Sequence, residues 1–578
     1  MSSRMVRWLL LVGIACGVGG AVAWRSECLG DEPRPVDSYT ARSRQAMVAS
    51  VHPLATAAGV QALRDGGNAV DAAVAAALTL GVVDGHNSGI GGGTLILIRT
   101  PDNRFFAIDG REMAPAKAHR DLYVRDGKLD AEASQTGPLA VAVPGAPAAY
   151  AYVVEQWGKR KFGDLARPAA DLAERGFEID RVYAAKLRGA AAQLAQFPGS
   201  KAALLRPDGT PYAAGETLRQ PDLARTYRAL AEQGPDWFYK GEFAQRVSEW
   251  MAAHGGIITA DDFRRYEVRR REPLVTRYRD HTIVGFPPPS SGGVHVAQML
   301  QMLESFDLRG MKDRDESQAI HVIAESMKRA FADRAYWLGD PDFARVPRGL
   351  IDVAYAKRLA ASIDGTRATK VDGHGTPPDA DGRVFEKHTT HVTAVDRDGY
   401  WVALTTTVNT TFGSKVIVPG TGVVLNNEMD DFSLRPGVPN AFGLLGAEAN
   451  AVAAGKRPLS SMSPTIVLRG DRPVMTVGAA GGPTIISQVL LAVIRRLDWR
   501  QTPAECLASP RWHQQWAPDE LRVEESLSAA IRKQLEERGH RLRTTSQIGV
   551  SQAIFWDDET GEFVGVSDPR VPGKAGSP

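Results

Sequence analysis

The chain has 578 residues, 43% of them hydrophobic, and its Lys+Arg total of 69 nearly balances an Asp+Glu total of 67. That length can bury one large core or two smaller ones, while a net charge of +2 gives no electrostatic footprint for nucleic acid or an acidic membrane surface. The three cysteines, Cys16, Cys28 and Cys506, provide neither a disulfide framework nor zinc-ligand spacing.

In chain order, Arg4 and Arg7 precede an apolar run over 8–22, and Ala21, Val22 and Ala23 form a small-residue cleavage site. Residues 1–23 therefore read as a signal peptide, and the protein as exported to the periplasm or beyond. An uncleaved N-terminal anchor is the alternative, although the run is short for a span. A lipoprotein reading at Cys16 is weakened by Gly13, which stands where a large aliphatic residue is normally wanted.

A polar leader over 24–44 is followed by a strand at 47–50. Residues 53–83 read as two helices broken at Gly66, Gly67 and Asn68. The second helix carries Asp71, so it reads as a buried Ala-rich helix and not a membrane span. The glycine cluster 89–93 follows a helix and not a strand, so it lacks the context of a dinucleotide-binding turn and is expected to be structural. Residues 94–99 read as a strand and 145–335 as mostly helical, for example over 319–336. The Gly-, Pro- and Asp-rich stretch 371–383 reads as a flexible connector. Strands are then expected over 389–408 and near 421–425 and 474–478, with a helix opening at Pro483. The order of elements indicates layered α/β packing without fixing its topology.

Around Asp396, Arg397, Asp398 and Gly399 two alternating runs form a hairpin signal. With a three-residue turn and Gly399 left-handed, Asp396 lies opposite Tyr400 and Thr389 opposite Thr407. A two-residue turn pairs Thr389 with Thr406 instead; the first register is preferred. A Thr-rich hairpin is ordinary in itself. A polar linker running directly into Thr389 adds an accessible bond at that point.

Five segments carry more. They are Thr389, Thr390 and His391 opening a strand; Thr407-Val-Asn-Thr-Thr-Phe-Gly413; Leu425-Asn-Asn-Glu-Met-Asp-Asp-Phe432; Arg457-Pro-Leu-Ser-Ser-Met-Ser-Pro464; and Gly478-Ala-Ala-Gly-Gly482. Together, and in this order, they resemble the γ-glutamyltransferase family. Arg111-Glu-Met-Ala-Pro115, Pro144-Gly145 and Pro288-Pro-Ser-Ser-Gly-Gly293 resemble its N-terminal half, so the likeness spans roughly 45–570.

The resemblance implies an αββα sandwich of the N-terminal-nucleophile hydrolase type. It implies a precursor that cuts itself between His388 and Thr389 into a large subunit, 24–388, and a small catalytic subunit, 389–578, which remain together as a heterodimer. A threonine hydroxyl needs an adjacent base, and the freed α-amine of Thr389 supplies one. By the same resemblance Thr407 orients the nucleophile, and Gly481 and Gly482 donate N–H groups to the oxyanion ahead of a helix N-terminus. Arg111, Asn409, Ser460 and Ser461 receive a substrate α-carboxylate, and Glu428 and Asp431 its α-ammonium. Phe442, in a lid-like segment over 436–448, stands where several members carry Tyr or Trp, which leaves no hydroxyl for a lid bond to Asn409 and implies a looser lid.

The expected activity is γ-glutamyl hydrolysis and transfer on glutathione-like compounds, with water or an acceptor amino acid or dipeptide taking the acyl group. No cofactor or metal is called for, and no nucleic-acid partner. His321 and Glu325, one helical turn apart, read as a helix-face contact. Two other readings stand beside this one. The first is a cephalosporin-type acylase, whose glutaryl substrate lacks the ammonium; the second is a catalytically inactive binding homologue.

Overall fold

Strands that are apolar on both faces need cover on both faces, and this chain supplies it with two stacked sheets. The structure is a computed structural model that describes residues 34–378, 380 and 392–578. One seven-stranded sheet runs, edge to edge, Lys574–Gly576, Ala46–Ser50, Val392–Asp396, Trp401–Thr407, Gly93–Arg99, Phe105–Gly110 and Arg269–Arg271. The other runs Thr40–Ser43, Glu562–Ser567, Val550–Asp557, Arg472–Ala480, Thr465–Arg469, His281–Gly285 and Leu274–Tyr278. Every pairing in both sheets is antiparallel.

Successive side chains on a strand point to opposite faces. In Gly93–Arg99 that sends Leu95 and Leu97 inward, to meet Ile466, Ile554 and Phe563 from the other sheet. Ile96 and Ile98 point outward into a core built with the helix Ala69–Val83. On the far side Val467, Met475, Val477 and Phe555 pack with the helices Gly292–Leu303, Glu316–Trp337 and Thr484–Leu497. Helices, two sheets and helices make the expected αββα sandwich.

The helix Ala69–Val83 is buried along its whole length, as expected, because alanines let it lie close to its neighbours. Asp71 is tolerated there because it is fully engaged. It completes a capping box with Asn68 and also accepts the N–H groups of Lys159 at 2.9 Å and Arg160 at 3.2 Å. At the hairpin, Asp396 N–H donates to Tyr400 O and Gly399 has φ +105°. Val392 lies opposite Leu404, the register of the three-residue turn.

One expectation is refined and two are corrected. The stretch 145–335 is mostly helical, as expected, but it also contains the strands Arg269–Arg271, Leu274–Tyr278 and His281–Gly285. Arg269–Arg271 and Leu274–Tyr278 are sheet edges, whose exposed Arg269, Arg270, Val275 and Arg277 mask the apolar pattern, and His281–Gly285 lies one strand in. No strand forms over 421–425; only an isolated pairing of Ile417 with Val424 is present, in a chain kept irregular by left-handed Gly420 and Gly422. The first part of the connector is bound, not free. Trp516 Nε1 donates to Val371 O at 2.8 Å, and Gly375 N–H donates to the buried Asp333 at 2.7 Å. The signal segment, Thr389 and the 388–389 bond lie outside the described residues. Among the described residues no helix is long and apolar enough to cross a membrane.

Candidate active site

The site lies where strands of both sheets end. The strand Trp401–Thr407 stops because the next residues leave extended geometry: Asn409 has φ +75°, a left-handed conformation that Asn accepts more readily than most residues. Thr407 Oγ1 accepts the Asn409 N–H at 2.7 Å, and Asn409 Nδ2 donates to Asn427 O at 2.9 Å. Asn427 Oδ1 in turn accepts from Thr410 N–H at 3.0 Å. Asn426 clasps the other side, donating to Gly91 O and Ala142 O and accepting from Ala142 N–H. The two asparagines therefore stitch the short 3-10 turn Glu428–Asp431 to the end of the strand. The glycine cluster is structural, as expected. A side chain at Gly92 would strike Thr407 O, and one at Gly91 would strike Val424 O.

Arg111 follows the strand Phe105–Gly110 and is fully buried. Its Nε donates to Pro458 O at 3.1 Å, its Nη1 to Glu112 at 3.2 Å and to Glu428, and its Nη2 to Asp431 at 2.6 Å. The cation and the two anions assigned to opposite ends of a substrate therefore form one cluster, joined by Glu112. Burial works against the Arg111 charge, but Glu428, Glu112 and Asp431 outweigh it and its pKa is raised. Burial first, and then the neighbouring Glu112 charge, lifts Glu428 well above the usual carboxylate range. Burial likewise pushes Glu112 up to about 7 and raises Asp431. Crowded acids out of water resist full ionisation, and Arg111 is the cation that offsets them.

Ser460 and Ser461 are brought in by the segment 288–293. Ser291 N–H and Oγ both donate to Ser460 O, at 2.8 and 2.7 Å, and Ser460 N–H donates to Pro289 O at 2.7 Å. Ser461 Oγ accepts from Arg334 Nη2 at 3.0 Å. Arg334 is a second buried cation, brought down to about 10 by burial and held partway up by Asp431.

Gly481 and Gly482 have φ of +134° and +58°, and they link the strand Arg472–Ala480 to the helix Thr484–Leu497. Among the described residues neither N–H donates a hydrogen bond, which leaves two donors beside a helix N-terminus. The Phe442 ring lies on Gly482, with Cδ1 2.6 Å from where a Cβ would sit. Gly482→Ala is accordingly expected to cost about 1–2 kcal/mol in backbone strain alone and to displace Phe442, read as a lowered denaturation midpoint.

The structure thus brings together Arg111, Thr407, Asn409, Glu428, Asp431, Ser460, Ser461, Gly481, Gly482 and Phe442, with Thr389 outside the described residues. Sequence reasoning missed Glu112, Arg334, Asn426 and Asn427. Glu112 adjoins Arg111 and the asparagines adjoin Glu428, so proximity in sequence was an available signal; Arg334 sits in an ordinary-looking helix with none. Among the described residues no group of His, Cys, Asp and Glu is arranged to hold a metal. His321 bonds to His540 at 2.8 Å and Glu325 pairs with Arg329 at 2.8 Å, so they take separate partners.

The Glu112 charge gives a pH prediction. A carboxyl whose folded pKa is raised favours the fold at low pH and loses that advantage as pH rises from the unfolded value near 4.5 through about 7. Glu112→Gln removes this titration. Thermal denaturation of the variant and the parent at pH 5 and pH 8 is expected to show a relative gain for the variant at pH 8.

Comparison with known proteins gives a consistent picture. The family sequence model described as gamma-glutamyltranspeptidase matches residues 55–577. The chain is 41% identical over 536 residues to the glutathione hydrolase proenzyme of Escherichia coli (strain K12), covering 92% of this chain and 91% of that one. Among solved structures it resembles a cephalosporin acylase from Bacillus halodurans, with TM-score 0.84 and 27% identity over 95% of this chain and 98% of that chain. It also resembles the γ-glutamyltranspeptidase of Helicobacter pylori, with TM-score 0.54 and 37% identity over 55% of this chain and 92% of that chain.

Proposed function

Because this chain belongs to the γ-glutamyltranspeptidase family, we propose that it is a γ-glutamyltransferase and glutathione hydrolase that matures by cleavage between His388 and Thr389. The observation that carries the substrate assignment is the buried cluster of Arg111 with Glu428 and Asp431, with Arg334 and Ser461 alongside. A γ-glutamyl end is a zwitterion. Its α-carboxylate would exchange for the acids on Arg111, and its α-ammonium would take the released Glu428 and Asp431. Each charge of the substrate thereby replaces one of the same sign.

In the reaction the Thr389 hydroxyl attacks the γ-carbonyl carbon and its proton passes to the residue's own α-amine. The resulting oxyanion takes the N–H groups of Gly481 and Gly482; losing one such donor costs roughly 3–4 kcal/mol. Collapse breaks the amide C–N bond, and the α-ammonium protonates the departing amine. The γ-glutamyl–Thr389 ester is then opened by water or an acceptor amine, which gives its proton to the same base. Thr407 orients the nucleophile. The partners are the two subunits of one chain and small γ-glutamyl donors with amine acceptors. The residues 1–23 would direct export and then be removed.

A second reading, glutaryl amide acylase, is favoured by the likeness to the Bacillus halodurans enzyme. A glutaryl group has no ammonium and would leave Glu428 and Asp431 without an incoming cation. The deciding assay sets γ-glutamyl-p-nitroanilide against glutaryl-p-nitroanilide. Turnover of the first and not the second supports the proposal, and the reverse supports the acylase.

A further inference from the structure

The lid-like loop lacks a hydroxyl at Phe442, yet it is fastened from both sides through its own backbone. On one side Ala441 N–H donates to Asp430 Oδ2 at 2.9 Å, and Asp430 is itself fixed by Ser134 Oγ at 2.7 Å. On the other side Gln515 Nε2 faces Gly443 O at 3.2 Å and Phe442 O at 3.4 Å. Gln515 is buried, and its Oε1 lies 3.0 Å from His513 Nε2, whose Nδ1 lies 2.6 Å from Ser487 Oγ. An amide nitrogen can only donate and an amide oxygen only accept. His513 is therefore the Nε2–H tautomer, taking the Ser487 hydroxyl proton on Nδ1. Burial pushes its pKa down to about 3, which agrees with a neutral ring.

Ser487 stands in the first turn of Thr484–Leu497, the helix that Gly481 and Gly482 precede, and the lid's Phe442 lies on Gly482. The chain of contacts closes on itself: glycine pair, helix, Ser487, His513, Gln515, lid and back to the glycine pair. We propose that Gln515 is the lid latch of this site, a positioning residue that holds Phe442 over Gly482 through main-chain carbonyls in place of a side-chain hydroxyl. Because the latch grips carbonyls, it does not depend on the identity of residue 442. It sets how tightly the acyl group is covered, while the chemistry stays with the nucleophile and the glycines. This inference rests on the proposed function for the role of Gly482, and on geometry alone for the fastening.

Gln515→Glu keeps the shape and the acceptor facing His513 but removes the donor; Gln515→Met, the second variant, keeps the length and introduces no charge. Purified full-length proteins would be digested with limiting chymotrypsin, which can cut at Phe442, Leu444 and Leu445, and assayed with γ-glutamyl-p-nitroanilide. Both variants are expected to be cut within 436–448 about tenfold faster than the parent, and to show KM raised about tenfold with kcat within about twofold, the scale of one or two lost hydrogen bonds. Parent-like digestion and parent-like KM in both variants would overturn the latch. If the parent itself does not turn over the γ-glutamyl substrate, the functional proposal fails while the digestion still decides the fastening.

Discussion

Thr389→Ala is expected to yield a single uncut chain with no measurable turnover. The argument is chemical. Before cleavage the Thr389 nitrogen is an amide and cannot serve as a base, and after it the amine and hydroxyl sit on one residue. Removing the hydroxyl takes away the group that would open the 388–389 bond and the group that would attack substrate, so rate losses on the order of 10⁴ or more are expected. Intact-mass spectrometry reads the first effect and γ-glutamyl-p-nitroanilide release the second. Thr389→Ser, which keeps a hydroxyl, should still yield two fragments. A Thr389→Ala protein that is cut normally would remove Thr389 from both roles.

Arg111→Lys is the second large effect. Arg111 spreads donors over Pro458 O, Glu112, Glu428 and Asp431, a fork that a single ammonium cannot reproduce. The variant should be processed normally, because in the proposed mechanism Arg111 serves the substrate and not the 388–389 cut. It should lose γ-glutamyl affinity by about 100-fold, the scale of about two charge-assisted hydrogen bonds. The measurement is KM for a γ-glutamyl donor set beside the fraction of cleaved chain. Unchanged KM would break the assignment of Arg111 to the substrate carboxylate.

Much of this was legible in the sequence, for reasons that differ by element. Two helices broken at Gly66–Asn68 and the hairpin around Gly399 follow from local signals, a capping box and a left-handed glycine, that need no tertiary context. The grouping of 288–293 with 457–464 was legible only as two separate motifs; that Ser291 holds Ser460 O belongs to the packing. The strands within 269–285 were missed because Arg269, Arg270, Val275 and Arg277 on the two edge strands break up the apolar-in, polar-out pattern that marks a strand. The docking of Val371 and Gly375 was missed because its anchors, Trp516 and Asp333, lie far away along the chain. The internal pairing of Arg111 with Glu428 and Asp431 is not legible in the sequence, because residues 317 and 320 positions apart meet only through packing, where buried charges first satisfy one another.

The strand order has a consequence for the fate of the cut protein. Ala46–Ser50 is bordered on one side by Val392–Asp396 and on the other by Lys574–Gly576, both from beyond residue 389. Trp401–Thr407, also from beyond it, borders Gly93–Arg99. A break at 388–389 therefore leaves two pieces interlaced like the teeth of a closed zipper, with ladder hydrogen bonds running across the division. To part them is to unravel a central sheet. The mature halves should neither dilute away from each other nor trade partners with another copy, and their lifetime together is the lifetime of the fold itself.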